Sequence, residues 1–331
     1  MMKKIKSTSF SNRAKRLIGQ GMFGVKVKAE ALERDGKKLL HFEIGDNSDG
    51  PPARVQAAAI VSILKEQTHY TDPKGLYELR EAIAKKYGCK IEEVCICPAN
   101  FAIFGLLSIL CNKGDKVDYP VPGFPTYKAV SKYLGLKRSK NAKIKIRCDY
   151  NNPDGMVQDW EFGKEFFTIL DLAYINLNYV GARKLVINLD ISAGVFSFSK
   201  DSNMPGFRMG YVISNKEVID KLGLLIETTY SCMPEFSQRA ALAALKLEPN
   251  KMRLFKKRNL MHKIVSKKYE CELPKGGYYL WCKCKDGDKE FERLLKKGIV
   301  VCPGSIFGKK DHIRFCFARP TKDIKKLGNL L

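Results

Sequence analysis

The chain has 331 residues, 45% of them hydrophobic, which is enough to bury a full core in two domains and excludes disorder as the main state. A formal net charge of +24 admits a nucleic-acid partner, an anionic substrate or a lysine-rich surface, and the spread of lysines along the whole chain favours the last. The 11 cysteines and 4 histidines form no CxxC, HxxxH or HExxH spacing, so neither a metal site nor a disulfide framework is expected, and the thiols read as packing residues in a reducing compartment.

The basic start, MMKKIKSTSF, is not followed by an apolar stretch, so no secretory leader is visible and a cytoplasmic protein is the default. Residues 11–38 are amphipathic and helical in pattern, ending at the turn Asp35-Gly36, and LLHFEIGDN reads as a short buried strand running into a glycine turn. PPARVQAAAIVSILKEQ opens on prolines suited to a helix N-terminus. GLYELREAIAKKYG places Leu79, Ile83 and Ala84 on one face and stops at Gly88, so it reads as a second helix. The apolar run FAIFGLLSILC, 101–111, is about half the roughly 20 residues needed to cross a bilayer and reads as a buried helix. Strands are expected at EEVCICP, KVDYPV, KIKIRCDY, FFTILD, KLVINLD and RMGYVIS, with a helix at PTYKAVSKYLG among them.

That alternation predicts an α/β fold, a mostly parallel sheet with helices on its faces. Ligands gather beyond the carboxyl ends of the strands in such sheets, and Asn152, Asp171 and Lys200 fall there. After residue 215 the pattern turns helical and then returns to strands at GGYYLWCKC and HIRFCFA, which predicts a second, smaller α+β domain.

Lys200 sits in SFSKDSNMPGFRMGY, 197–211. A lysine among small polar residues is commonly just an exposed lysine, but the whole string closely resembles the lysine motif of class I/II aminotransferases, the fold-type I pyridoxal phosphate enzymes. The resemblance runs over nearly the full chain. HYTDPKGLYELREAIAKKYG is similar to the family's Y-x-x-x-x-G-x-x-x-L-R-x-A-I-A segment, with Tyr70, Gly75 and Arg80 in register, and NKGDKVDYPVPGFPTY to its NPGDxVxxxxPxYPxY run. NNPDG, DLAY, KGGYYLW, CPGSIFG and HIRFCFA then follow in family order.

The resemblance implies a seven-stranded sheet and a large cofactor-binding domain over 44–222, with 1–43 joining 223–331 in the small domain. It implies pyridoxal 5'-phosphate held as a Schiff base on Lys200, and an amino group moved between an amino acid and a 2-oxo acid. A lysine forms imines only when deprotonated, so its site must lower its pKa. By position, Arg208, Ser197 and the amides near Ala99 and Asn100 match the phosphate ligands, although Pro98 replaces the usual glycine before them. Asp171 matches the partner of the ring nitrogen, Tyr174 and Asn152 those of the ring's phenolic oxygen, and Phe124 the stacking aromatic. Arg314 matches the arginine that binds the substrate carboxylate, Gly45 matches the glycine that lets the small domain approach the substrate, and Asn152 is also expected to face the substrate. Tyr70 matches a tyrosine that reaches the phosphate of the neighbouring subunit, which implies a homodimer; no membrane or nucleic-acid partner is expected.

The chain departs from the family in other places too, among them NPDG for the commoner NPTG and DLAY for DEAY. Only 28 positions separate Phe124 from Asn152 and 19 separate Asn152 from Asp171, both short for the family, so trimming is expected at 128–150 and 156–168. The entry loop GDNSDGPP replaces a GEPDFPTP-like stretch, and this leaves the choice of substrate open. Two other functions compete with amino transfer: a decarboxylase or carbon–sulfur lyase on the same scaffold, and a basic nucleic-acid-binding protein on a degenerate one. Retention of Lys200, Asp171 and Arg208 together speaks against the second.

Overall fold

The computed structural model describes residues 9–160, 162–181 and 185–331. A 3-10 turn at Ala14–Arg16 precedes α1 (Met22–Arg34), so the helical stretch expected over 11–38 is two pieces joined by an extended strap. Arg16 holds the first piece against the larger unit by donating to the carbonyls of Lys132 (3.0 Å) and Tyr133 (3.2 Å). β1 (Leu40–His41) is followed by α2 (Ala53–Leu64), α3 (Tyr77–Tyr87), β2 (Val94–Ile96), α4 (Ala99–Leu110), β3 (Lys116–Asp118) and α5 (Pro125–Leu134). Gly88 caps α3 with a left-handed φ of 67°, as the sequence predicts. Then come β4 (Lys137–Arg138), β5 (Ile144–Cys148), β6 (Phe167–Asp171), β7 (Ser192–Ser197), the single turn α6 (Phe198–Asp201), β8 (Gly210–Ile213), α7 (Lys216–Tyr230) and α8 (Glu235–Ala244). The last part holds α9 (Lys251–Val265), β9 (Glu270–Cys271), β10 (Tyr279–Lys283), α10 (Gly287–Lys296), β11 (Ile299–Val300), β12 (Cys302–Pro303), β13 (His312–Cys316) and α11 (Thr321–Leu330).

The main sheet has seven strands in the order β2-β8-β7-β6-β5-β3-β4. Only β8 runs against its neighbours. β6 and β7 are buried along nearly their whole length because helices cover both faces, which is why they read as continuous apolar runs rather than alternating ones. The antiparallel course of β8 brings its start, just after Arg208, to the edge where β2, β3, β5, β6 and β7 end.

One expected strand is absent. Within KLVINLD, residues 185–190 form no strand; the strand is SAGVFS, 192–197. Asn188 accounts for this, since its side chain accepts from the Asp190 amide (3.2 Å) and its carbonyl from the Ser192 hydroxyl (2.6 Å), a local turn that outcompetes ladder pairing. Leu185, Ile187 and Leu189 still pack on the core, but from a loop.

Two large apolar clusters form. One joins the seven-stranded sheet to α2, α3, α4, α7 and α8; the other joins Val25 and Ala29 of α1 to α9, α10, α11 and the four-stranded sheet β12-β13-β10-β9. The expected division after residue 222 falls inside α7, and α8 packs with α2 in the larger cluster. Among the described residues no helix is long and apolar enough to cross a membrane.

Candidate active site

The floor of the site is built at the strand ends. β6 terminates on Asp171, whose Oδ2 accepts from the Tyr127 hydroxyl (2.7 Å) and whose Oδ1 accepts from the Ala173 amide (3.2 Å). Burial raises the Asp171 pKa, and these two bonds oppose that shift. β7 terminates on Ser197, whose hydroxyl caps the turn α6 by accepting from the Ser199 amide at 3.2 Å. That turn carries Lys200, whose Nζ donates to the Gly45 carbonyl, while the Tyr278 hydroxyl donates to the carbonyl of Lys200. Burial pushes the Lys200 amine down to about 8, with Cys316 and Asp46 opposing the shift and the cations Arg314 and Arg208 adding to it. At that value about a tenth of the amine is deprotonated at pH 7, far more than for an ordinary lysine, which is what nucleophilic use requires.

Arg208 precedes β8 with a φ of 57°. A non-glycine residue held there costs about 1 to 3 kcal/mol, a strain concentrated at functional sites. Its guanidinium donates to the Pro205 carbonyl (2.8 Å) and faces the same cavity as Lys200. Gly210 is imposed by crowding: a Cβ there would lie 2.4 Å from the Phe196 carbonyl oxygen and 3.1 Å from the Ala99 amide nitrogen. β8 thus passes hard against the first turn of α4. No side chain caps α4, so the amides of Ala99 and Asn100 remain available to an anion. The Asn100 side-chain oxygen accepts from Thr126 (2.8 Å), which accepts in turn from Gln20 (2.8 Å).

The wall comes from elsewhere in the chain. Arg314, on β13, is fully buried. It donates to the Asn152 side-chain oxygen (2.6 Å) and to the Glu43 carbonyl, and its guanidinium carbon lies 3.8 Å from the centroid of the Tyr279 ring. Its Nε has no hydrogen-bond partner. A Cβ on Gly45 would fall 1.7 Å from the Tyr279 hydroxyl, so Tyr279 is what demands glycine there. The Tyr174 hydroxyl donates to that of Tyr279 at 3.1 Å, and burial pushes the Tyr174 pKa up. The Phe124 ring stands edge-on to Tyr127 with centroids 5.7 Å apart.

Every expected site residue except Tyr70 and Arg314 lines one cavity of about 480 Å³. Arg314 touches it through Asn152, and Tyr70 is 89% exposed and lies outside it. Sequence reasoning missed Tyr127, Tyr279 and the N-terminal residues Gln20, Phe23 and Lys26, which also line the cavity. The two tyrosines stand in quoted runs, PGFPTY and KGGYYLW, where aromatic residues read first as core. The N-terminal residues carry no motif.

The model of the family "Aminotransferase class I and II" matches residues 37–152 and 146–329. Among curated proteins the chain is 32% identical to the (5-formylfuran-3-yl)methyl phosphate transaminase of Methanocaldococcus jannaschii, over 95% of this chain and 96% of that protein. It is 29% identical to the aspartate aminotransferase of Thermotoga maritima, over 88% of this chain and 90% of the relative. Among solved structures, a Methanococcus jannaschii protein described as similar in its active site to kynurenine aminotransferases superposes with a TM-score of 0.90 at 29% identity, covering 97% of this chain and 98% of that one.

Proposed function

The chain belongs to the class I and II aminotransferases, and from that premise we propose that it uses pyridoxal phosphate on Lys200 to move an amino group between an amino acid and a 2-oxo acid. The observation that carries the reading is the donor set gathered around one cavity. Arg208, the Ser197 hydroxyl and the free amides of α4 suit a phosphate. Asp171, a buried carboxylate, suits a protonated ring nitrogen, and Lys200 has the lowered pKa that attachment to an aldehyde needs. Phe124 offers a face for the ring. The residues present therefore fit the group.

When bound, pyridoxal phosphate supplies an aldehyde to take the amino group and a ring to draw electrons from the substrate's α-carbon. Everything else falls to the chain. Arg314 and Asn152 orient the substrate carboxylate, which fixes the bond at the α-carbon that is aligned for cleavage. With the carboxylate so held, the Lys200 amine would take the hydrogen of the α-carbon as general base. The bonds that Asp171 accepts from Tyr127 and the Ala173 amide favour its charged form against burial, and in that form it would hold a protonated ring nitrogen.

Borohydride reduction of the purified enzyme followed by peptide mapping is expected to leave the cofactor on Lys200. A single-turnover reaction without acceptor should release one equivalent of 2-oxo acid per site. Repeated turnover with carbon dioxide, or with a thiol and ammonia, would require a decarboxylase or lyase instead.

Two features support a homodimer in which Tyr70 serves the neighbouring site: Tyr70 is exposed and outside its own cavity, and α2 leaves Ile60, Val61, Ile63 and Leu64 largely uncovered. Sedimentation showing a fully active monomer would contradict it. Eleven free thiols support the reading of a cytoplasmic enzyme.

A further inference from the structure

We propose that Lys26 sets substrate specificity by receiving an anionic group at the far end of the substrate's side chain, so that the amino acids accepted carry a second carboxylate or a phosphate ester. This rests on the aminotransferase reading above and adds a substrate class to it. Among the described residues three side-chain cations line the cavity: Lys26, Lys200 and Arg208. Lys200 is engaged with the Gly45 carbonyl, and Arg208 is held at the Pro205 carbonyl on the side of the phosphate donors. Lys26 is left over. Its ion-pair partner is Glu30, one helical turn along α1 at 3.5 Å, with both side chains nearly half exposed. Such a pair contributes little and is readily exchanged for a ligand.

The approach to Lys26 is apolar. Met22 and Phe23, four and three residues before it on α1, lie on the same helix face and also line the cavity, as does Ile44. Phe23 is an aromatic left 59% exposed. Two anchors aim this face. Val25 and Ala29 are buried in the smaller core, and Gln20, just ahead of the helix, donates to Thr126 of α5. Of the cavity's carboxylates, Asp171 accepts from Tyr127 and Ala173, Asp149 accepts from the Tyr150 amide, and Asp46 favours the charged form of Lys200. The wall therefore offers an apolar track ending in an ammonium, which suits a side chain with a short carbon spacer and a terminal anion.

The test compares the holoenzyme's kcat/KM for glutamate and O-phosphoserine with that for their neutral counterparts, glutamine and serine. Wild type should favour the anionic member of a pair by about tenfold or more, and whichever pair shows the larger ratio identifies carboxylate or phosphate as the source. The ratio should fall about tenfold in Lys26→Gln, fall further in Lys26→Glu and hold in Lys26→Arg. Calorimetric binding of glutarate against its half-amide should follow the same order without turnover. A wild-type ratio near one, or a ratio unmoved by both Lys26→Gln and Lys26→Glu, would overturn the proposal. Failure of every amino acid, charged or neutral, to yield a 2-oxo acid would instead overturn the aminotransferase reading, and the calorimetry would still report on Lys26.

Discussion

Asp171 and Ser197 reach the cavity from the ends of adjacent strands of one sheet and Lys200 from the turn that follows the second, whereas Gln20 and Gly45 reach it from a strap and the segment after β1, and Arg314 backs Asn152 from a strand of the smaller unit. The first set is held by ladder register, in which Asp171 pairs with Val195 two residues before Ser197. The second is held by side-chain bonds between distant parts of the chain, such as Arg314 to the Glu43 carbonyl over 271 positions and Gln20 to Thr126 over 106. A register cannot shift by a fraction of a residue, but a wall docked through a few polar bonds can be re-aimed by substitution. Under the proposed function the floor serves the cofactor and the wall serves the substrate.

The wall should therefore be separable from cofactor retention, and Arg314→Lys tests this with the largest effect. An ammonium cannot serve both Asn152 and the Glu43 carbonyl while presenting a fork to a carboxylate. The expected loss in kcat/KM is about 2 to 4 kcal/mol, as for a buried charge stripped of its geometry. The affinity for pyridoxal phosphate should change by no more than about twofold, well under 1 kcal/mol. An equal loss of cofactor binding would show that wall and floor are one unit.

Tyr127→Phe strikes the floor with a smaller effect. It removes one of the two donors to the Asp171 carboxylate, a bond of the kind worth about 1 to 2 kcal/mol. Because that bond lowers the Asp171 pKa, its loss should let the carboxyl rise further. Cofactor retention should weaken by about tenfold and the pH limit for retaining it on the acid side should move upward. A loss in substrate KM alone, with an unchanged pH limit, would place Tyr127 on the wall instead.

This division also explains what was legible in the sequence. The floor residues lie within a few positions of a strand end, so apolar runs and the lysine motif located them; even the misplaced strand at KLVINLD ended close to the true one, because its apolar residues do pack on the core. The wall was legible only where a residue had a motif of its own, as Arg314 did in HIRFCFA. Gln20, Phe23 and Lys26 sit in a segment whose pattern says only that a helix is near, and their place in the cavity depends on how α1 docks between two units. Gly45 was found by resemblance, but its cause, the Tyr279 hydroxyl pressed against it, is a tertiary contact that no local pattern carries.

A last test asks whether the wall, unlike the floor, has a support that titrates. His41, at the end of β1, lies 2.9 Å from Glu43 on one side and 2.9 Å from Glu33 of α1 on the other, so it joins the helix that bears Lys26 to the residue whose carbonyl holds Arg314. The bond to Glu43, assisted by Glu33 and opposed by burial, raises the His41 pKa from 6.5 to about 9. A raised folded-state value means that the stabilisation is fully present below about 6.5, where the unfolded chain is protonated too, and is lost as pH rises through about 9. Solvent screening at this partly exposed site reduces the expected effect to about 1 kcal/mol. Urea unfolding followed by the fluorescence of Trp281, which lies on β10 in the same unit, should show wild-type stability declining by that amount between pH 7 and 10. His41→Gln should flatten that decline, because glutamine does not titrate; the same slope in both proteins would mean that His41 contributes packing alone and that the wall has no pH-sensitive support there.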